Sequence, residues 1–188
     1  MKLVNMQKVR EGKYLKNYEL TYENRGGKKK KYELVSLRNL KSENELGNRV
    51  SGVSIAAFVG DRMLLLKEFR MAVNREIYNL CAGRLEENET VEECAKRELF
   101  EETGLVVEEI MHILPPSFSA VTITDAKTQI IFVKASGKLS TEHNSDNEQI
   151  CPGLYTKDEM RKMLDTLEFS SRAQIIAWMF SNGFLKNS

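Results

Sequence analysis

The chain has 188 residues, of which 41% are hydrophobic and 29% are charged, and its formal net charge is +1 at pH 7. This length suffices for one domain with a small appendage. The balanced charge excludes a general electrostatic attraction to nucleic acid or to an anionic membrane. The longest apolar runs, such as residues 55–59, are far shorter than the roughly 20 residues that a membrane-spanning helix needs.

Three cysteines are present, Cys81, Cys94 and Cys151, an odd number without the spacing of a metal site. The first residues also lack the apolar stretch of a signal peptide. Because disulfides are rare in reducing compartments, we expect reduced thiols in a cytoplasmic protein. We expect neither a nucleic acid nor a membrane among its partners.

The first 50 residues predict a small β-sheet. Residues 14–22 and 28–37 alternate as strands do, and a turn-rich link over 23–27 joins them into a hairpin. The lysines at 28–31 indicate either a nucleic-acid patch or a solvated strand that discourages edge pairing, and the second reading is favoured. We therefore assign residues 1–50 to an N-terminal hairpin or sheet and 51–188 to a second domain.

The second part of the chain predicts strands and helices in mixed order. Strands are expected at 53–59 and 62–69, turned at Gly60 and Asp61, and again at 77–80, 108–114, 129–135 and 150–156. Two helices close the chain, one over 157–167 and one that begins at Ser171 and ends at Gly183. Ser171 and Gln174 suggest a capping box, and Trp178 is expected in the core.

A further helix is predicted between Val91 and Thr103. Thr90 and Glu93 form a T-x-x-E capping box at its start, and Gly104 suits the left-handed position after its last turn. Both boundaries of this helix are therefore encoded locally.

Glu98, Glu101 and Glu102 share an arc of about 100° on that helix. Glu98 and Glu102 lie on its apolar flank and should point toward the body of the domain, although their repulsion costs about 0.2–0.5 kcal/mol. The helix dipole also disfavours carboxylates at this end. A solvated helix with salt bridges around Arg97 is the plain alternative. A bound divalent metal explains the cluster better, and it indicates phosphate chemistry.

The wider pattern has Gly83, Glu89 after five intervening residues, and Arg-Glu-Leu-Phe-Glu-Glu-Thr-Gly-Leu at 97–105 after seven more. This pattern resembles the Nudix box, G-x5-E-x7-R-E-U-x-E-E-x-G-U, in which U is apolar. The resemblance implies a Nudix hydrolase, an enzyme that cleaves a nucleoside diphosphate linked to another moiety. It also implies an α+β fold, an α/β/α sandwich with a mixed sheet between helices, plus a small N-terminal β-sheet. Residues 51–188 would then form the catalytic domain.

The order of elements resembles the ADP-ribose pyrophosphatase branch, whose N-terminal sheet swaps across a dimer. A homodimer is therefore expected, in which Arg25 on the hairpin turn would reach the partner's site. Residues 68–70 resemble the Q-[FY]-R of this branch, which implies a substrate-binding role for Arg70. Ala82 and Gly83 match the end of its E-x-x-A-G motif, which implies that the Ala82 carbonyl is a metal ligand.

Outside residues 68–70, the chain departs from the branch at three positions. Asn79 replaces the glutamate of E-x-x-A-G, Ala126 replaces the glutamate of an [ST]-D-E loop, and Thr122 stands where a loop glycine is expected. In the branch, the loop glutamate contacts the substrate ribose. The resemblance therefore leaves two substrate classes open: ADP-ribose, giving AMP and ribose 5-phosphate, or a nucleotide sugar or other nucleoside diphosphate derivative.

The resemblance implies Mg²⁺ as cofactor, with Mn²⁺ possible, held by Ala82 and the three helix glutamates. It implies that Arg97 organises these glutamates together with Glu89. The polar loop before the last strand resembles an acidic E-x-E loop, so Glu148 is expected as a further metal ligand or base, with Asp146 second. An ordinary surface loop is the alternative for these two residues. A catalytically silent nucleotide-binding or sensing module is the alternative for the whole protein.

Overall fold

The computed structural model describes residues 1–144 and 149–185, and these form two compact units. The first unit combines Met1–Ser51 with Pro116–Thr128, and the second combines Gly52–Pro115 with Gln129–Ser188. Nothing in the sequence indicated that Pro116–Thr128 returns to the first unit. Separate roles for the two parts stay a prediction.

The described residues form eleven β-strands, three α-helices and a short 3₁₀ turn at Glu43–Glu45. The strands are β1 (Lys2–Glu11), β2 (Lys16–Glu23), β3 (Lys29–Ser36), β4 (Val50–Val59), β5 (Arg62–Arg70), β6 (Arg75–Asn79), β7 (Cys81–Arg84), β8 (Val106–Ile113), β9 (Ser117–Phe118), β10 (Lys127–Ser136) and β11 (Ile150–Tyr155). The helices are α1 (Val91–Thr103), α2 (Lys157–Thr166) and α3 (Ser171–Ser181). Within the described ranges, no helix combines the length and the apolar character that crossing a membrane requires.

The first unit contains an antiparallel sheet in the order β1-β2-β3. The β2–β3 hairpin was predicted, and its turn is stabilised by Asn24, whose side-chain oxygen accepts the N–H groups of Gly26 and Lys28 at 2.9 and 3.0 Å. Strand β1 was missed because its charged residues and its mostly exposed side chains carry little apolar alternation. A small core forms around Tyr18, Leu20, Leu34 and Leu40.

The second unit is built on strands in the order β11-β5-β4-β10-β8, with β6 paired to β5 and β7 to β4. Strand β4 is apolar on both faces. Ile55 and Ala57 pack in one cluster with residues of α1, whereas Ala56 and Phe58 pack in another with residues of α2 and α3. Strands that are buried on both faces need continuous apolar runs. The predicted α+β fold, with a sheet between helices, is confirmed.

Helix α1 begins and ends as predicted. The Thr90 hydroxyl accepts the N–H of Glu93 at 3.2 Å, and the Glu93 carboxylate accepts the N–H of Thr90 at 2.9 Å, which completes the capping box. Gly104 has φ of 72°, and its N–H donates to the carbonyl of Phe100. These local contacts fix the position at which the glutamates of α1 enter the second unit.

Two expectations for α3 were wrong. The N-cap is Ser170, not Ser171, because Ser170 has extended backbone angles and its hydroxyl accepts the N–H of Ala173. Trp178 is 52% exposed and stacks on Phe184, with ring centroids 5.4 Å apart. The buried stripe of α3 follows helical spacing and leaves Trp178 outside it; its members are Ala173, Ile176, Ala177 and Phe180.

Candidate active site

Strand β7 and helix α1 approach closely at Gly83. A Cβ atom on this residue would lie 1.7 Å from the Cδ atom of Glu98, so any side chain there would displace the carboxylate. On the neighbouring strand, a Cβ on Gly52 would lie 2.2 Å from the carbonyl oxygen of Gly83. Glycine at both positions therefore lets the Glu98 carboxylate lie directly against the backbone of β7.

Among the predicted metal ligands that the structure describes, Glu102 is the most buried, with 9% of its surface exposed. Its Oε2 accepts the N–H of Ala82 at 3.2 Å, and the Cys81 thiol is a further hydrogen-bond partner. Burial raises the pKa of Glu102 to about 8, and the nearby charges of Glu98 and Glu68 add to the shift. Such a carboxylate gains from either a proton or a cation beside it.

Arg97 links α1 to the loop that precedes it. Its Nε and Nη2 donate to the two oxygens of Glu89 at 2.8 and 2.9 Å, and Nη2 also donates to the carbonyl of Arg84 at 3.0 Å. The hydrogen bonds from Arg97 are the main reason that the pKa of Glu89 falls to about 2. Its Nη1 lies 2.8 Å from Oε1 of Glu98 and 3.2 Å from Oε2 of Glu101. One guanidinium thus contacts three carboxylates.

The acidic side chains of α1 are the groups that would have to hold a cation. Within residues 1–144 and 149–185, no three Asp, Glu, His or Cys side chains converge closely enough to hold one ion. Glu98 and Glu101 instead each direct an oxygen toward Arg97. The donor types nevertheless fit a hard dication, because they are carboxylate oxygens beside a backbone carbonyl at Ala82. The buried Glu102 carboxylate, which has no ion pair among the described residues, is the observation that favours a cation here.

Glu68, at the end of β5, was not identified from the sequence as a site residue. It is 7% exposed. Its Oε1 accepts from Nδ2 of Asn79 at 2.6 Å, and its Oε2 lies 3.4 Å from Nη1 of Arg70. The sequence did contain a signal for Glu68, because positions 68 and 79 both differ from the motifs of the branch. The two differences could be connected only once the pairing of β5 with β6 was known.

The two predicted substrate-binding residues lie in different units. Arg25 lies on the β2–β3 turn of the first unit, and Arg70 ends β5 in the second unit with its side chain 55% exposed. Asp146 and Glu148 lie outside the described residues. His143, which precedes them in the sequence, stacks on Phe100 of α1, with ring centroids 4.7 Å apart.

The sequence matches known proteins across most of its length. The profile of the NUDIX domain matches residues 48–179. An ADP-sugar pyrophosphatase of Mus musculus is 28% identical over 129 residues, which is 69% of this chain but only 59% of the mouse protein. An ADP-ribose pyrophosphatase of Bacillus subtilis (strain 168) is 28% identical over 139 residues, which is 72% of this chain and 75% of that protein.

A solved structure, described as the crystal structure of an ADP compounds hydrolase, has the same fold. It superposes with a TM-score of 0.77 at 19% sequence identity, and the match covers 98% of this chain and 93% of that chain. The match to the NUDIX profile confirms the predicted family. Because the NUDIX profile spans most of the chain and contains the complete motif that positions the glutamates of α1, this protein belongs to the Nudix family and is a Nudix hydrolase.

Proposed function

We propose that this Nudix hydrolase is a Mg²⁺-dependent pyrophosphohydrolase whose first substrate is ADP-ribose. Water is consumed as the pyrophosphate bridge is cleaved, and AMP and ribose 5-phosphate are released. The observation that carries the proposal is the burial of Glu102 beside Glu98 on α1, against strand β7, which has no side chain at Gly83. The names of the mouse and Bacillus relatives support a derivative of adenosine diphosphate.

The proposed cation ligands are the carboxylates of Glu98, Glu101 and Glu102 and the carbonyl of Ala82. Bound dications, Mg²⁺ or alternatively Mn²⁺, would neutralise the pyrophosphate and lower the pKa of a water molecule. Arg97 restricts the positions that Glu98 and Glu101 can adopt, since its guanidinium contacts both. It is itself held through its paired contacts with Glu89.

Glu148, with Asp146 second, is proposed to supply a further ligand or the base that accepts the proton of the attacking water. The proposal rests on the resemblance of this loop to the acidic loop of the family. A carboxylate suits either role because it is ionised at neutral pH and offers oxygen atoms. Replacing each residue separately with glutamine and comparing the pH dependence of kcat would distinguish the two.

Arg70 is proposed to bind a substrate phosphate. Its guanidinium presents several donors in a rigid fork, which suits phosphate oxygens, and more than half of the side chain is exposed to solvent. Arg25 is proposed to complete the site of the partner in a homodimer. A strictly monomeric protein in analytical ultracentrifugation would exclude that role for Arg25 and leave the role of Arg70 intact.

A nucleotide sugar is the second candidate substrate. Two observations favour it: Ala126 replaces the loop glutamate that contacts ribose in the ADP-ribose pyrophosphatase branch, and the mouse relative is named an ADP-sugar pyrophosphatase. The chemistry at the pyrophosphate would be the same. Only the contacts to the group beyond the second phosphate would differ.

A substrate panel tests the proposal. The purified protein with Mg²⁺ would be incubated with ADP-ribose, ADP-glucose, diadenosine polyphosphates and NAD⁺, and the products separated by chromatography. We expect AMP release from ADP-ribose with the highest kcat/KM, and no release after chelation with EDTA. A preference for ADP-glucose would support the second candidate. Nucleotide binding without release of any product would instead support the sensing module.

A further inference from the structure

Strands β5 and β6 bring a carboxylate and an amide into a buried contact beside the candidate active site. Glu68 and Asn79 share one face of the sheet, and the amide Nδ2 donates to the carboxylate Oε1 at 2.6 Å. The second carboxylate oxygen faces Nη1 of Arg70 at 3.4 Å. Both oxygens of a nearly inaccessible side chain therefore face donors, and one of these donors belongs to the proposed phosphate-binding arginine.

The orientation of the Asn79 amide is fixed from its other side. Its oxygen accepts the Oγ–H of Ser170 at 2.6 Å and the N–H of Leu80 at 3.0 Å. Because the amide oxygen already accepts from two donors and the Glu68 carboxylate can only accept, the NH₂ group must point to Glu68. Ser170 is the N-cap of α3, so the start of that helix takes part in placing the amide.

Both residues of this contact also differ from the motifs of the ADP-ribose pyrophosphatase branch. Glu68 stands where Q-[FY]-R has glutamine, and Asn79 stands where E-x-x-A-G has glutamate. Each change alone looks like a loss of the family pattern. Together they keep one carboxylate and one amide, with the two groups exchanged between the strands.

We propose that these two departures compensate each other, and that the Glu68–Asn79 pair is a positioning unit that holds Arg70 for the substrate phosphate. The second part of this proposal rests on the proposed function, because it assigns Arg70 to the substrate. The pair itself follows from the contact on β5 and β6. It is therefore tested separately.

Counting donors and acceptors distinguishes the pair from an accidental contact. Glu68 offers two acceptors to two donors, so Glu68→Gln leaves either the Asn79 amide or the Arg70 guanidinium without a partner. Asn79→Glu alone sets two carboxylates against each other in a buried position. In the double variant, the introduced glutamine can donate to the introduced glutamate and still accept from Arg70. Only a compensating pair makes the double variant better than each single variant.

The experiment is a double-mutant cycle on the full chain, comprising Glu68→Gln, Asn79→Glu and the double variant, with two readouts. Thermal unfolding is followed by circular dichroism without substrate, and KM and kcat are measured with ADP-ribose and Mg²⁺. Glu76→Gln is the matched control, because Glu76 also lies on β6 but its side chain is 39% exposed and pairs with Lys67 at 2.5 Å. This control should match the wild type in both readouts.

We expect each single variant to lower Tm by about 5 °C, and the double variant to recover most of that loss. Glu68→Gln should raise KM about tenfold with a much smaller change in kcat, and the double variant should restore KM. If the double variant loses as much Tm as the two single variants added together, the compensation is overturned. If Glu68→Gln leaves KM within twofold of the wild type, the positioning of Arg70 is overturned.

Failure of the proposed function would have a different signature. In that case the wild type would hydrolyse none of the panel substrates, while the unfolding cycle, which needs no substrate, would still decide whether the pair exists. If the Tm losses of the two single variants simply add in the double variant while the wild type hydrolyses ADP-ribose, the pair is refuted and the proposed activity still stands.

Discussion

Glu102→Gln provides the most informative single test of the site, because activity and stability should move in opposite directions. The folded-state pKa of Glu102 is about 8, against an ordinary value of 4.5. Between these two values the folded state binds a proton that the unfolded state does not. Without metal, the free energy of unfolding of the wild type should therefore fall as the pH rises.

The size of this effect follows from the two pKa values. The contribution of Glu102 to the free energy of unfolding is about 3 kcal/mol larger at pH 5.5 than at pH 8.5. The contribution is fully present below pH 4.5 and is lost as the pH rises through 8. Glutamine at position 102 cannot titrate but can still accept the N–H of Ala82. Relative to the wild type, the variant should therefore gain about 3 kcal/mol in unfolding free energy over this interval.

The assay is urea denaturation at pH 5.5 and pH 8.5 in EDTA, followed by circular dichroism, together with initial rates in Mg²⁺. The variant should lose several orders of magnitude in turnover and retain the fold. Glu101→Gln is the matched control, because its side chain is 48% exposed and its removal should alter the pH dependence much less. Equal pH dependence in the wild type and in Glu102→Gln, or wild-type turnover in that variant, would refute the reasoning.

Three further predictions concern the surroundings of the helix glutamates. Gly83→Ala should lower kcat/KM at least tenfold in an ADP-ribose assay, because its Cβ cannot fit beside a helix carboxylate, whereas Gly26→Ala on an open turn should not. Thr90→Ala should lower the unfolding free energy in urea by about 1 kcal/mol, because the N-cap is lost. Arg97→Lys should lower kcat about tenfold, because lysine cannot form the paired contact to Glu89.

Each of these has an outcome that would contradict it. Wild-type kcat/KM in Gly83→Ala would show that the Glu98 carboxylate is not needed in this position. An unchanged urea midpoint in Thr90→Ala would show that the capping box contributes nothing measurable to stability. Full activity in Arg97→Lys would show that Arg97 forms ordinary surface ion pairs and does not organise the helix glutamates.

Features that depend on short stretches of sequence could be predicted well. The start of helix α1 at Thr90 and its end at Gly104 each depend on only a few neighbouring residues, so its bounds could be predicted. The inward direction of Glu98 and Glu102 then followed from helical geometry. The continuous apolar run in β4 likewise indicated a buried strand.

Features that depend on contacts between distant residues could not be predicted. The burial of Glu68 follows from its pairing with Asn79 on a neighbouring strand, and no rule of spacing connects the two positions. The error at the start of α3 had another cause, because adjacent serines offer equivalent caps and packing selects Ser170. Trp178 was misplaced since its size suggested burial, although the helical stripe around it already excluded it.

The position of Trp178 determines what intrinsic fluorescence can report. It is the sole tryptophan of the chain, half-open to solvent and stacked on Phe184 beyond the end of α3. Its emission will therefore follow the attachment of the C-terminal helix and the residues beyond it. Tryptophan emission should therefore change little when a ligand binds at the glutamates of α1. An unchanged emission during a titration would not show that the ligand fails to bind.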